Sequence, residues 1–240
     1  MGKRIIARRR GQGSPVYRSN SNRFKADVKY RNYDNIETTK MLKGRIVDLV
    51  KCPGHTAPLA RVLYENRDEL LLIAPNNIKV GDFIESGISS SLNNGNILPL
   101  KLIPEGTLIY NIESNPGDGG KFCRAAGNFS KILSSTQEFV LIELPSKKQR
   151  KFDPNCRATI GIIAGGGRVD KFFVKAGKRM HYMRARGKLY PRTSGVAMNA
   201  LNHPYGSGRG RHHSKIKVVG RGTPPGRKVG KVCARRTGRK

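Results

Sequence analysis

The chain has 240 residues, with 47 Lys or Arg against 16 Asp or Glu, and a formal net charge of +31. This length holds one or two domains with tails, and so large an excess of cations opposes a compact isolated protein. Phosphates compensate the charge and their counterions are released on binding, so nucleic acid is the expected partner. An anionic membrane surface is the rival partner, but the chain has no Trp, no long apolar face and no apolar run of membrane length.

The charge is distributed unevenly along the chain. Residues 1–35 carry a net +8, residues 36–167 a net +3, and residues 168–240 a net +20 with Asp170 as their sole acid. The middle is therefore balanced like a globular domain, whereas both ends are strongly cationic. This pattern predicts a folded core whose two extensions enter folded nucleic acid.

Residues 1–35 are predicted to form a basic N-terminal extension. Arginine pairs with phosphate, and interleaved aromatics such as Phe24 and Tyr30 can stack on unpaired bases or dock on the core. A transit peptide is the weaker interpretation of these arginines, because Gly, Pro and Tyr follow them closely. The candidate RNA-binding residues of this extension are Lys3, Arg4, Arg8, Arg9, Arg10 and Arg18.

Short apolar, β-branched runs separated by Gly, Pro and Asn turns fill the middle of the chain. The runs are GRIVDLV (44–50), ARVLYE (60–65), ELLLIA (69–74), GTLIYNIE (106–113), EFVLIEL (138–144) and ATIGIIA (158–164). This spacing predicts a mainly β fold, with an OB-like barrel at residues 36–103 followed by an SH3-like barrel at residues 104–170. A hairpin edge carrying Lys147, Lys148, Arg150 and Lys151 is either solvated or in contact with RNA.

Residues 171–240 are predicted to form a basic C-terminal extension rich in Gly and Arg. KFFVKAGKRMHYMRARGK (171–188) indicates one short basic helix around Lys178–Arg186, and the glycines beyond it let backbone N–H groups approach phosphate oxygens. The candidate RNA-binding residues here are Arg179, Arg186, Arg192, Asn199, His203, Arg209, Arg211, Arg227, Lys228, Arg235 and Arg236.

The cysteines do not indicate a metal site. Cys52, Cys123, Cys156 and Cys233 form no CxxC motif, so we expect free thiols in a reducing compartment. A zinc site from Cys233 with His203, His212 and His213 is the alternative, but its spacing matches no common zinc pattern. We expect no cofactor, with Mg²⁺ or K⁺ present only as ions bound to RNA.

Several motifs are more specific than composition. They are PR (191–192), GVAMN (195–199) and HP (203–204), followed by TPPGRKVG (223–230) and ARRTGR (234–239). Through these motifs the chain resembles the second protein of the large ribosomal subunit, the universally shared L-two family. The resemblance extends through residues 74–82, 95–100, 104–128 and 156–171, and the start MGKRIIARRRGQGS is similar to the archaeal and eukaryotic cytosolic form.

The resemblance implies an OB-like barrel followed by an SH3-like barrel, with both termini extended into large-subunit rRNA. It also implies roles in assembly, subunit association, tRNA binding and support of the peptidyl transferase region, near which His203 would lie. The implied partners are large-subunit rRNA, neighbouring ribosomal proteins, the small subunit and tRNA, with no membrane and no homo-oligomer, on cytoplasmic ribosomes. Asn202 and the run Gly206-Ser207-Gly208 depart from the family, which often has an acid and three glycines there.

Two hypotheses for His203 follow, proton transfer and a structural contact with RNA. No carboxylate or nucleophile lies near it in the sequence to complete an active site. We therefore expect a structural protein that is not an enzyme. The alternatives are a nuclease or RNA-modifying enzyme with a basic tail, which would need clustered carboxylates, and an architectural protein that binds duplex DNA as tightly as RNA.

Overall fold

The computed structural model describes residues 3–19, 21–208, 218–224 and 226–232. The chain folds as two compact units. We name residues 21–172 the β unit, and residues 1–20 together with 173–240 the basic unit. Among the described residues, no helix has both the length and the apolar character needed to span a membrane.

The described residues form three α-helices, twelve strands and several short 3₁₀ turns. The helices are α1 (Ile6–Gly11), α2 (Asn35–Thr39) and α3 (Ala176–Ala185). The strands of the β unit are β1 (Met41–Val50), β2 (Leu59–Tyr64), β3 (Glu69–Ile73), β4 (Phe83–Gly87), β5 (Ile97–Pro99), β6 (Leu108–Tyr110), β7 (Ser130–Ser135), β8 (Val140–Glu143), β9 (Gln149–Phe152) and β10 (Arg157–Ile160). The basic unit adds a parallel pair, β11 (Val218–Val219) and β12 (Lys231–Val232).

One continuous sheet organises the β unit. Its strand order is β3-β2-β1-β4-β5-β10-β6-β7-β8-β9, and the neighbours are antiparallel except for β4 and β5. The last strand of the unit, β10, pairs with β5 on one side and with β6 on the other. The end of the second half of the unit is thereby joined to the end of the first half.

Two hydrophobic cores lie in succession along the sheet. The first contains Ile46 of β1 and Ile97 of β5, and the second contains Leu98 of β5 and Ile142 of β8. Ile97 and Leu98 belong to different cores because successive side chains of a strand point to opposite faces. The predicted mainly β fold, an OB-like barrel followed by an SH3-like barrel, is confirmed.

A third apolar cluster joins the two halves of the β unit. Leu59 and Ile73 come from the first half, and Tyr110, Ala126 and Ile163 from the second. All five are buried. Because burial of apolar surface is the main favourable contribution to folding, this shared cluster explains why the two barrels form one compact unit.

The segment of residues 21–35 differs from the sequence-based interpretation, which included it in the N-terminal extension. Val28 and Tyr30 are buried in the β unit. The Tyr30 hydroxyl donates to the Asn111 carbonyl oxygen at 2.7 Å and lies 2.7 Å from the Thr159 hydroxyl. Phe24 packs against the third cluster, so both aromatics dock on the core. Protein covers the Tyr30 ring almost completely and the Phe24 ring in part.

A buried ionic cluster, missed by the sequence analysis, lies between the barrels. Arg157 of β10 is 2% exposed at its side chain, and it pairs with Glu113, which follows β6, and with Glu37 of α2. Arg157 Nη1 also donates to the Arg31 carbonyl oxygen at 2.8 Å. Glu37 in turn accepts a hydrogen bond of 2.9 Å from the Ser86 hydroxyl. The cluster therefore connects four separate parts of the chain, namely residues 31–37, Ser86, Glu113 and Arg157.

Candidate RNA-binding surface

The two units differ sharply in charge. Residues 1–20 contain six Lys or Arg and residues 173–240 contain nineteen, and neither range contains an Asp or Glu. The basic unit thus carries a net +25, whereas the β unit, with 22 basic and 16 acidic residues, carries +6. Since the basic unit holds no carboxylate side chain, its cations need anions from outside it.

The N-terminal helix α1 presents a row of arginines. Ile5, immediately before the helix, is buried, and the Lys3 amide donates to the Leu201 carbonyl oxygen at 2.8 Å. The backbone is thereby anchored within the basic unit, and the arginines of the last turn, Arg8, Arg9 and Arg10, are left exposed. Such guanidinium groups can form bidentate hydrogen bonds with phosphate.

Helix α3 is basic and exposes every residue at least partly. It confirms the short basic helix predicted around Lys178–Arg186. The Arg186 guanidinium lies 3.6 Å from the centroid of the Tyr182 ring, and that of Arg179 lies 5.3 Å from the centroid of Tyr190. These cation–π contacts hold the guanidinium groups in defined positions at the surface of the helix.

The loop around His203 is tightly folded. The backbone amide of Tyr205 donates to His203 Nδ1 at 3.1 Å, and the two rings meet edge to face with centroids 5.1 Å apart. The amides of Asn202 and His203 both donate to the Asn199 carbonyl oxygen, at 2.9 and 3.2 Å. Because Nδ1 is an acceptor, the neutral imidazole carries its hydrogen on Nε2.

Two glycines allow this loop to close. A Cβ on Gly195 would lie within 3.0 Å of three atoms of the His203 ring, and a Cβ on Gly206 would meet the carbonyl oxygens of Met198 and Asn199. Gly206 is buried and donates its amide to the His203 carbonyl oxygen at 2.9 Å. Only glycine therefore fits at these two positions.

Comparison with known proteins identifies the family of the chain that carries this surface. The family model described as Ribosomal Proteins L2, RNA binding N-terminal domain matches residues 2–86, and that of the Ribosomal Proteins L2, C-terminal domain, matches residues 93–222. The chain belongs to the L2 family of ribosomal proteins. The family predicted from the sequence is thereby confirmed.

Archaeal relatives match over the full chain. The large ribosomal subunit protein uL2 of Methanothermobacter thermautotrophicus is 50% identical over 240 residues, which is 100% of both chains. Those of Methanosphaera stadtmanae and Methanocaldococcus jannaschii are 47% and 50% identical over 240 and 239 residues, covering 100% and 99% of each chain. The predicted function, a structural, rRNA-binding constituent of the large ribosomal subunit that is not itself an enzyme, is confirmed at this level.

The individual RNA-binding residues of this L2 protein stay predictions. Arg186 and His203 are half-buried. Arg209, Arg211, Arg235 and Arg236 lie outside the described residues. The remaining candidates are exposed in the basic unit, namely Lys3, Arg4, Arg8, Arg9, Arg10, Arg18, Arg179, Arg192, Asn199, Arg227 and Lys228.

Two of the four cations in the basic hairpin of the second barrel contact aromatic rings of the β unit. Strand β9 forms one edge of the sheet, and its Arg150 guanidinium lies 4.6 Å from the centroid of the Phe122 ring. Lys151 Nζ lies 3.8 Å from the centroid of Phe139. Lys147 and Lys148 are exposed in the turn before β9. Two of the four cations therefore already stack on aromatic rings, and contact of this hairpin with RNA stays a prediction.

No group of three or more His, Cys, Asp or Glu among the described residues could hold a metal ion. The zinc alternative includes Cys233, His212 and His213, which lie outside the described part of the chain. Cys123 and Cys156 are free thiols. Burial raises the pKa of Cys123 to about 11 and that of Cys156 to about 12, so both are protonated at neutral pH.

Proposed function

We propose that the basic unit is the part of this L2 protein that enters large-subunit rRNA, and that the β unit is the scaffold from which it extends. The observation that carries the proposal is the separation of charge. The basic unit contains 25 Lys or Arg and no Asp or Glu, whereas the basic and acidic side chains of the β unit nearly balance in charge. Phosphates supply the missing anions, and release of their counterions drives binding.

The charge of the basic unit also suits a role in assembly of the large subunit. Neutralising phosphates that would repel one another favours compact RNA, which is a contribution to assembly of the large subunit. We extend the proposal to subunit association, tRNA binding and support of the peptidyl transferase region, with contacts to neighbouring ribosomal proteins, the small subunit and tRNA. The protein would act on ribosomes in the cytoplasm and would need no cofactor beyond ions bound to RNA.

Within this function, His203 is proposed to position RNA and not to transfer protons. A general base needs a lone pair within reach of the transferred proton. The lone pair of His203 Nδ1 accepts the Tyr205 amide hydrogen, and the ring is half-buried against Gly195. A fixed, edge-to-face imidazole suits a structural contact with phosphate, ribose or base.

The test is reconstitution of large subunits with His203→Ala and, as a matched control, His181→Ala, which removes an exposed histidine of α3. We expect His203→Ala to change the chemical reactivity of nearby rRNA or to slow assembly, and peptide-bond formation to fall only to the extent that the RNA is altered. Particles with His203→Ala that assembled normally, kept unaltered RNA reactivity and lost peptide-bond formation would assign a catalytic role to His203.

A further inference from the structure

A cavity of about 600 Å³ lies within the basic unit. This volume falls in the range of about 300–1,000 Å³ found for sites that enclose small ligands. Part of the wall is apolar, formed by Ile5, Leu189, Val196 and Met198 among others. His203 and Tyr205 also line it and contribute the edge-to-face ring pair.

Three cations line the same cavity, namely Arg10, Arg192 and Lys228. Their side chains are exposed. The ion pairs of the described residues all lie between residues 31 and 157, so none of them involves these three cations. Lys228 Nζ donates to the Arg221 carbonyl oxygen at 2.7 Å. Because the basic unit has no Asp or Glu, the three cations favour a ligand that brings negative charge.

The combination of an apolar wall, aromatic rings and cations restricts the chemistry of that ligand. A free inorganic anion would leave the apolar wall uncovered, and a hydrocarbon would make no use of the three cations. A nucleotide offers both parts, a flat base that stacks on aromatic or apolar side chains and a phosphate that pairs with Arg and Lys.

We propose that this cavity receives one unstacked nucleotide of large-subunit rRNA. Its base lies among the apolar and aromatic side chains, and its phosphate contacts Arg10, Arg192 and Lys228. The inference rests on the proposed function, in which the basic unit binds rRNA, and it adds a defined site for a single nucleotide. That site would let the protein recognise one base of the RNA, which phosphate contacts along a surface do not do by themselves.

Single substitutions at two residues that line the cavity can alter it. Val196 lies in the 3₁₀ turn Gly195–Ala197 and is half-buried, so a larger side chain there fills the space. Arg192 is exposed and outside any described helix or strand, and its replacement leaves the packing intact. These two residues allow the volume and the charge of the cavity to be altered separately.

The test is chemical probing of all four bases of large-subunit rRNA bound to the full chain. We compare the wild type with Val196→Phe and with Val174→Phe, a matched control at a residue that is 84% exposed and does not line the cavity. The wild type and Val174→Phe should protect one unpaired nucleotide that becomes reactive in Val196→Phe. Affinity of Val196→Phe should fall about tenfold, the loss expected from one base contact.

Arg192→Gln is the second variant, with Arg184→Gln on α3 as its control. Arg192→Gln should expose the same nucleotide, and Arg184→Gln should leave it protected, so the proposal stays testable if Val196→Phe does not fold. Protection that is unchanged in Arg192→Gln and Val196→Phe, or a wild-type footprint without any isolated protected nucleotide, would overturn the cavity proposal. If the wild type itself bound rRNA no better than duplex DNA, the proposed function would fail instead.

Discussion

Arg157 and Glu113 are joined by both their side chains and the Arg157 backbone. Arg157 Nη2 and Nε donate to Glu113 Oε1 at 2.8 and 3.2 Å, and the Arg157 amide donates to Glu113 Oε2 at 2.8 Å. Glu113 is completely buried and also accepts the Gly119 amide at 3.0 Å. A buried ion pair with this many hydrogen bonds is expected to fix the geometry of the β unit, because loss of either partner leaves an uncompensated charge.

Replacing Glu113 by Ala should strongly destabilise the protein. The Arg157 guanidinium would keep only Glu37 as a charged partner in a buried site, and breaking such a pair costs about 3–5 kcal/mol. The matched control is Glu69→Ala. Glu69 pairs with Arg61 at 3.1 Å, but the two side chains are 56% and 45% exposed, and exposed pairs contribute about 0–1 kcal/mol. Urea unfolding of the full chain measures both changes, and equal losses in the two variants would contradict this account.

The pH dependence of stability should have opposite sign for two glutamates. Burial raises the pKa of Glu37, whereas the hydrogen bonds from Ser91 lower the pKa of Glu85. The stability that Glu37 contributes is present below the ordinary glutamate pKa of about 4.3 and is lost as the pH rises through its higher folded pKa. The contribution of Glu85 is present above about 4.3 and is lost as the pH falls through its lower folded pKa.

Unfolding midpoints of the wild type, Glu37→Gln and Glu85→Gln at about pH 3 and about pH 7, on either side of the ordinary pKa, test these signs. Relative to Glu37→Gln, the wild type should lose stability from the lower to the higher pH. Relative to Glu85→Gln, it should gain stability over the same interval. The same sign for both variants would mean that the two carboxyl groups have similar environments.

Removal of residues 21–35 should unfold the β unit or weaken it severely. A fragment of residues 21–172 is expected to unfold cooperatively, because it retains Tyr30 and Val28 in the core. A fragment of residues 36–172 loses both, together with the Tyr30 hydrogen bond to Asn111, and loss of a buried aromatic alone costs about 3–5 kcal/mol. Circular dichroism and thermal unfolding distinguish the fragments. Equal stability of the two fragments would show that residues 21–35 belong to the N-terminal extension and not to the β unit.

Gly195→Ala should weaken rRNA binding through displacement of the His203 ring, which an added Cβ would meet within 3.0 Å. Gly177→Ala in α3 is the matched control, because nothing lies within 4 Å of a Cβ built there. That control should stabilise the helix by about 0.5–1 kcal/mol, since Gly is less favourable than Ala in a helix. Filter binding to rRNA compares the two variants, and similar affinities would show that the His203 loop is not part of the interface.

Much of the β unit could be predicted because its apolar strands have a local signature. GRIVDLV (44–50) falls within β1, ELLLIA (69–74) includes β3, and EFVLIEL (138–144) includes β8. Strand β7, with the sequence SKILSS, was not predicted, and β9, with the sequence QRKF, was predicted only as part of a hairpin edge. Their short, polar sequences become strands through pairing with β8, which lies between them in the sheet, so tertiary pairing outweighs local propensity there.

The buried ionic cluster could not be predicted from the sequence. Arg157 lies 44 residues from Glu113 and 120 from Glu37, and nothing in its local sequence separates it from the arginines that face solvent. The candidate RNA-binding surface, by contrast, could be predicted in part, because it is marked by its amino-acid composition. The absence of acids in the basic unit is visible in the sequence, but the cavity that joins Ile5 to Val196 and Lys228 depends on how three distant segments pack.

The most direct test of the central claim is binding of the full chain to large-subunit rRNA and to duplex DNA of equal length across a salt series. The same measurements are made with residues 173–240 deleted. We expect a strong preference for rRNA that persists at high salt, with a steep salt dependence from many phosphate contacts that becomes much shallower in the deleted chain. Equal affinity for the two polymers, falling together as salt rises, would contradict the account and indicate only general attraction between a cationic protein and nucleic acid.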